Sequence, residues 1–334
     1  GADYVGAQDM VDKIKAYDKK SDLARVTGID DGEEEAVIDL TMKKGQNQGT
    51  FANITGGVGT KGRWQGQGNV NRFSDSYQYS VMANLNNTND MGFPGGGGGF
   101  RMGGGNGVTK RQTLGANFAM ENKKIEMGGN IRYSYSDSFN ASKSSSQNFQ
   151  SGLFSNSISS SERKNKSVNF DYRLEWKPTD HDNLIFRPRA SYSKGDSNSS
   201  NLSTSVKKDP SENPSLLADI QDFLTGDNKE RVINAIKEDA LRRDPWASAQ
   251  QSLSLSNSEN KNVSGELQYN HKFNDRGPNL TLRATAGYTS GESDSYSNND
   301  RWLFTTNDDF IRRYTNTPSK NTNYSGRLTY SEPI

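Results

Sequence analysis

The chain has 334 residues and is nearly neutral, with 41 Lys+Arg against 40 Asp+Glu, and it contains no cysteine. The charge balance removes the general electrostatic case for a nucleic-acid partner, and the missing thiols exclude disulfides, zinc–thiolate centres and thiol nucleophiles. Only 30% of residues are hydrophobic and mean hydropathy is −0.94, yet there are 14 Tyr, 14 Phe and 4 Trp. Disorder predicts few aromatics; a wall that needs only one apolar residue in two fits better. No apolar run approaches the ~20 residues of a transmembrane helix. The chain opens at Gly1 without an initiator Met, so an upstream portion is expected and the lack of a signal peptide carries no weight.

Residues 1–44 differ from the rest. Met10, Val11, Ile14 and Tyr17 have helical spacing and predict a short helix. The acidic turn Asp30-Asp31-Gly32-Glu33-Glu34-Glu35 follows, then a strand from Ala36 to Met42, closed by Lys43-Lys44-Gly45.

Beyond residue 45 the pattern is period-2 alternation. Strands are predicted at 50–59, 63–73, 77–88, 110–121, 123–136, 166–177, 183–195, 258–273, 279–296 and 323–330. In the segment from 168, Val168, Phe170, Tyr172, Leu174 and Trp176 share one face, while Asn169, Asp171, Arg173, Glu175 and Lys177 share the other. Ile125 to Tyr135, Leu184 to Tyr192, Val263 to Phe273, Leu280 to Tyr288 and Tyr324 to Tyr330 repeat it, with every Arg, Lys, Asp and Glu inside these spans on the polar face. A charge facing hydrocarbon at mid-depth costs roughly 2–4 kcal/mol for Arg or Lys, so a lipid-facing row must lack them. A soluble sandwich alternates too, but its strands run about 5–6 residues; these are longer, as a tilted membrane strand requires. Arg72 is the exception, sharing parity with Trp64 and Val70, and is expected to snorkel at a rim.

The predicted connections fall into two alternating classes. Ser74-Asp75-Ser76, Asn122, 178–182 and 274–278 are short; 89–109, 137–165, 196–257 and 297–322 are long, with 60–62 the exception. Short turns on one side and long loops on the other mark an up-and-down outer-membrane barrel. Phe73, Tyr77, Trp176, Phe186, Phe273 and Tyr330 cluster beside the short turns like an interfacial girdle. The Ser- and Asn-rich stretch 137–165 is also readable as barrel wall extended beyond the membrane. The run Gly92 to Gly107 reads as a flexible external loop. Within 196–257, Leu216, Leu217, Ile220, Phe223 and Leu224 predict a helix between Pro214 and Gly226. Asp227 with Glu230 suggests a capping box for a second helix carrying Val232, Ile233, Ile236 and Ala240.

Four chemical motifs are weak. Gly57-Val58-Gly59-Thr60-Lys61-Gly62 satisfies GxGxxG literally, but a dinucleotide site needs a following helix and a strand follows instead. The carboxylates Asp30, Asp31, Glu33, Glu34 and Glu35 lack EF-hand spacing and read as a solvated turn. His181 and His271 have no Ser or carboxylate at motif spacing, and two histidines without cysteine make a transition-metal site improbable. Arg132, Arg173, Arg187, Arg189 and Arg283 could line a ligand path; the favoured reading pairs them with Glu126, Asp171, Glu175 and Glu266 across neighbouring strands. No catalytic, cofactor-binding or metal residue is assigned, and substrate-binding residues stay unknown.

Several runs resemble a known family. Asp9-Met10-Val11-Asp12-Lys13-Ile14, Tyr17-Asp18-Lys19-Lys20-Ser21-Asp22, Thr27-Gly28-Ile29-Asp30-Asp31-Gly32 and Ile38-Asp39-Leu40-Thr41-Met42-Lys43-Lys44-Gly45 look like the end of the plug domain in TonB-dependent-receptor-like outer-membrane proteins of the Bacteroidetes. Asn86 to Gly99 is similar to a barrel loop of that group, and Tyr330-Ser331-Glu332-Pro333-Ile334 to a periplasmic turn. The resemblance implies a plugged barrel of about 22 strands, with this chain spanning the plug's end (1–45) and the first part of the barrel (46–334, with a helical external loop at about 210–245). The expected fold is therefore all-β: a partial, antiparallel up-and-down transmembrane β-barrel of about ten strands with a small N-terminal α+β plug remnant. The implied function is import of a nutrient ligand (glycan, peptide or siderophore) across the outer membrane, with outer-membrane lipid, the TonB complex and a surface lipoprotein as partners and no cofactor. A structural or adhesive surface barrel is the alternative.

Overall fold

The computed structural model describes residues 11–20, 34–42, 48–59, 62–87 and 107–334. The acidic turn before Glu34 and the glycine run up to residue 106 lie outside them. Near the N-terminus, β1 (Val11–Lys20) pairs antiparallel with β2 (Glu34–Met42). The helix expected around Met10–Tyr17 is thus a strand from Val11 on, Met10 lying outside the described residues. Its helical spacing is outweighed by a matched partner: the register sets Ile14 opposite Leu40 and Ala16 opposite Ile38, and opposes Lys15 to Asp39, Lys19 to Glu35 and Lys20 to Glu34. A lone helix of about ten residues is marginal without packing, so pairing wins.

The rest is one ten-stranded antiparallel sheet with strands in strict sequential order. Its members are β3 (Gly49–Val58), β4 (Trp64–Phe73), β5 (Tyr77–Asn86), β6 (Gly107–Glu121), β7 (Ile125–Asn148), β8 (Leu153–Thr179), β9 (Asp182–Val206), β10 (Trp246–Lys272), β11 (Asn279–Leu303) and β12 (Asp309–Ser331). Every neighbour in the order is a neighbour in sequence, which is the up-and-down topology of an all-β partial barrel. The sheet's end strands are β3 and β12. No helix of the described residues is long and apolar enough to cross a membrane.

All ten expected strands are present, but six are much longer than expected. β7 to β12 run 23 to 27 residues. The length comes from segments read as loops, of which 137–165 is also readable from the sequence as extended wall, so the connections shrink to 149–152, 207–245 and 304–308. The expected asymmetry of loop length therefore holds at 207–245, while at 149–152 and 304–308 the extra residues build wall. Most of the added residues are Ser, Asn, Thr or charged, which hides the extensions from a periodicity test. They cohere through backbone ladders and side-chain bonds across strands: Ser145 Oγ to Asn156 Oδ1 at 2.6 Å, Asn201 Nδ2 to Ser159 Oγ at 2.6 Å.

The connection 207–245 carries a 3-10 turn (Pro210–Glu212), α1 (Pro214–Thr225), α2 (Lys229–Glu238) and α3 (Ala240–Arg243). α2 is capped by Asn228, whose Oδ1 accepts from Arg231 N at 3.1 Å; the expected capping box of Asp227 with Glu230 does not form, because the cap lies one residue later and the third helical position is then Arg231. Ala240 belongs to α3, which Asp239 caps through Leu241 N and Arg242 N. Val206, Leu216, Ile220, Phe223, Val232, Ile233, Ile236, Trp246, Ala249, Trp302 and Phe304 form the buried apolar cluster beneath these helices.

Candidate functional site

Strand pairing carries the alternation of each strand across the whole sheet. Val81 sits opposite Val70 and Ala116, and Ala116 opposite Ile131. Ile131 meets Phe170, Phe170 meets Ala190, Ala190 meets Val263, Val263 meets Tyr288. One face of the wall is therefore a continuous apolar band. The other face carries every Arg, Asp and Glu of the band region except Arg72 on β4 and, at the turn end of β9, Asp182.

Burial is inverted relative to a water-soluble sheet. Val263 is 58% exposed and Leu328 67%, whereas Gln268 is 3% exposed and Asn270 1%. The residues Ser80, Asn84, Asn86, Thr113, Glu175, Gln268, Asn270, Asn279 and Thr281 are all buried and all lie on the polar rows. Large apolar side chains bare to the surroundings over a full sheet face are far beyond what a soluble monomer exposes. The band is packed as well as apolar: the rings of Phe118 and Tyr172 lie 6.1 Å apart beside Gly129, where a Cβ would come within 2.8 Å of the Asp171 carbonyl oxygen.

Arg72 shares the apolar row, as the sequence indicated. Its guanidinium donates to Thr50 Oγ1 at 3.1 Å and to the Tyr77 hydroxyl at 3.3 Å, at the turn end of the band. The cation is thereby satisfied at a rim.

The polar face holds a ladder of charges. Glu126 faces Glu175 across β7 and β8, and Arg173 lies between them, 3.7 Å from Glu126 and 3.1 Å from Glu175. Lys177 and Asn183 also reach Glu175, at 3.8 and 3.0 Å. Arg189 pairs with Asp171 directly opposite it at 3.2 Å, and Arg283 reaches diagonally to Glu266 at 2.8 Å. Arg187 stands opposite Glu266, and Arg132 opposite Asn169 and Gly115. The predicted cross-strand pairing thus holds for Arg173, Arg189 and Arg283. Asn117, Asn130, Asp171, Arg173, Arg187 and Arg189 also bound a shallow recess of about 370 Å³ on this face. It offers hydrogen-bond donors and acceptors of both signs, suited to a polar solute.

A cluster missed in the sequence lies at the turn between β8 and β9. Asp182 accepts from Thr179 Oγ1 at 2.6 Å and from the Tyr269 hydroxyl, and contacts His271 Nδ1 at 2.7 Å. These hydrogen bonds, Thr179 first, hold its carboxyl well below the usual aspartate range. His181 Nε2 meets Asp275 at 3.2 Å. Both histidines thus have carboxylate partners, but 89 residues separate His271 from Asp182, so only strand pairing brings them together. Thr179 and Tyr269 spend their hydroxyls on the same carboxylate. Among the described residues no group of three or more His, Asp or Glu is placed to hold a metal ion. After the would-be GxGxxG loop the chain enters β4, not a helix.

The helical connection sits on the loop end of the wall, over the same rows that form the apolar band below. Val206 and Trp302 share parity with Leu184 and Leu282, and Trp246 and Phe304 pack with ring centroids 5.2 Å apart. Phe223 meets Trp302 edge-on at 5.7 Å. Lys237 bonds Asp308 at 2.5 Å and Arg242 bonds Asp219 at 2.8 Å, which ties α2 to the next connection and α3 to α1. No protein-family model and no curated protein matches the sequence.

Proposed function

We propose that this chain is part of a bacterial outer-membrane receptor or transporter of the TonB-dependent type, a non-enzymatic importer of a nutrient ligand. The observation that carries the membrane reading is the inverted burial: a continuous apolar face laid bare and a charged, hydrogen-bonded face packed behind it. In hydrocarbon that arrangement is the stable one, because apolar side chains need no partner there and backbone polar groups are satisfied within the sheet. The polar face then lines the lumen, the short turns face the periplasm, and the helical connection stands on the cell surface.

Import rests on the family resemblance of the N-terminal segment. A plug formed from residues 1–45 and an upstream segment would fill the lumen against the charge ladder, and a surface lipoprotein would hand a glycan or peptide to the loops. The alternative is a surface barrel that binds partners without transport. The tall wall beyond the band, β7 to β12, favours it, since transport needs no such height. The deciding experiment expresses the full-length gene and measures uptake of candidate ligands with and without an active TonB complex. Loss of uptake on removing TonB supports the importer; uptake independent of TonB, or none with intact surface binding, supports the alternative. Recovery of the protein in a soluble fraction without detergent sinks both.

A further inference from the structure

The apolar rows do not end alike at their two margins. On the turn side they close on Trp176, Leu184, Phe273, Leu280 and Tyr330, with Arg72 as the cation of β4 and Asp182 as the anion of β9. On the loop side the first charged residue along the same rows is a lysine on β6, β8, β9, β10 and β12: Lys110, Lys166, Lys194, Lys261 and Lys320. On β7 and β11 it is Asp137 and Glu292.

The densest part of this margin spans β7 to β9. Pairing sets Tyr135 beside Lys166 and Lys166 beside Lys194, one step above Tyr133, Val168 and Tyr192. Tyr133, Tyr135, Lys164, Lys166, Lys194 and Asp196 line a groove of about 420 Å³, and Tyr133 is the next residue on its row above Ile131. Lys164 is committed to Glu162 at 3.6 Å. The Lys166 ammonium lies 5.8 Å from the Tyr135 ring centroid, and among the described residues neither Lys166 nor Lys194 has a carboxylate within ion-pair distance. Two ammonium groups without an ion-pair partner, directly above the apolar band and flanked by tyrosines, complement a negative group fixed at the height of a lipid headgroup; Asp196, the carboxylate in the groove, faces Lys164 across the strand pair.

Resting on the membrane reading above, we propose that the groove between Tyr135 and Lys194 is a docking site for the phosphate of a phosphorylated outer-leaflet lipid, with acyl chains lying along Ile131, Phe170 and Ala190. Lys166 and Lys194 supply the charge, and Tyr133 and Tyr135 the apolar wall and hydroxyls. A free phosphate would gain nothing from the band; a lipid uses both.

The test reconstitutes the full-length protein in phosphatidylcholine vesicles with or without lipid A, the phosphorylated disaccharide lipid, and counts retained lipid by native mass spectrometry after gentle extraction. Wild type is expected to retain lipid A over phosphatidylcholine by about tenfold or more, the K166Q/K194Q variant to lose that preference to within about twofold, and K166R/K194R to restore it. Heat-modifiable migration checks that each variant is folded. Unchanged retention in the glutamine variant, or no preference in wild type, overturns the site. So does complete displacement of lipid A by millimolar inorganic phosphate, which would mark a free-phosphate site. A protein that enters neither vesicle overturns the membrane reading and this site together; one that enters both without preference overturns the site alone.

Discussion

Asp182 shows how much a single side chain at a turn can depend on distant sequence. Its partners come from the turn itself (Thr179) and from β10 (Tyr269 and His271). Because its folded-state carboxyl is held below the ordinary value, the ionised form is favoured by folding. That contribution is complete above the unfolded value of about 4 and shrinks as pH falls towards the folded value. D182N is therefore expected to unfold more readily than wild type at pH 7, with the gap closing below about pH 4. Urea titrations in lipid vesicles at both pH values measure this; an equal gap at pH 3 and pH 7 would assign the effect to hydrogen bonding without charge. Lys229 plays a comparable part in the helical connection, donating to the carbonyls of Phe223 and, at 2.7 Å, of Gly226, so that it closes the end of α1. Burial pushes its ammonium below the usual lysine value.

At the scale of elements, α1 and α2 are short and independent of the sheet's hydrogen bonds. They are held by the cluster around Trp246, which is fully buried. Truncating a buried Trp typically costs about 3–5 kcal/mol. W246A is expected to release the helical connection while leaving the strands paired, because the ladder between β9 and β10 runs on to the turn below. Limited proteolysis checks this: cleavage should rise sharply within 207–245 with the remaining fragments still folded. I236D, which forces a carboxylate into the same cluster, should give the same pattern. Cleavage spread through β9 and β10 would mean that the cap supports the wall as well.

For the whole molecule, the two faces of the sheet set opposite tolerances. Ala284 lies mid-band on the apolar row of β11, and Thr285, its neighbour, faces the other way. In a bilayer A284R should cost roughly 2–4 kcal/mol, whereas T285R should cost little. Comparing unfolding in lipid vesicles tests the orientation directly, since a water-facing band would reverse or erase the difference. The sheet's end strands bear its barest apolar residues: Ile54 on β3 is 89% exposed and Tyr324 on β12 85%. Residues 1–334 produced alone should therefore associate through β3 and β12, which sedimentation in detergent would reveal; a monodisperse monomer would require another way of covering those edges.

Much of this was legible in the chain. A period of two with charges confined to one parity determined that the middle segments are strands, which face is apolar, and that short connections join them on one side. The helices α1 and α2 were legible because Leu216, Ile220, Phe223, Val232, Ile233 and Ile236 repeat at helical spacing between Pro214 and Pro245. What required the tertiary structure has one physical cause: hydrogen bonding between strands is not written in local periodicity. It turned the helical spacing of Val11, Ile14 and Tyr17 into a strand paired with Glu34–Met42. It built 196–206, 246–257, 297–303 and 309–322 into wall, beyond the stretch 137–165 that composition already left readable as wall. It joined Asp182 to His271, seated Trp246 and Trp302 under the helices, and drew Lys166 and Lys194, far from each other in sequence, into one groove above the apolar band.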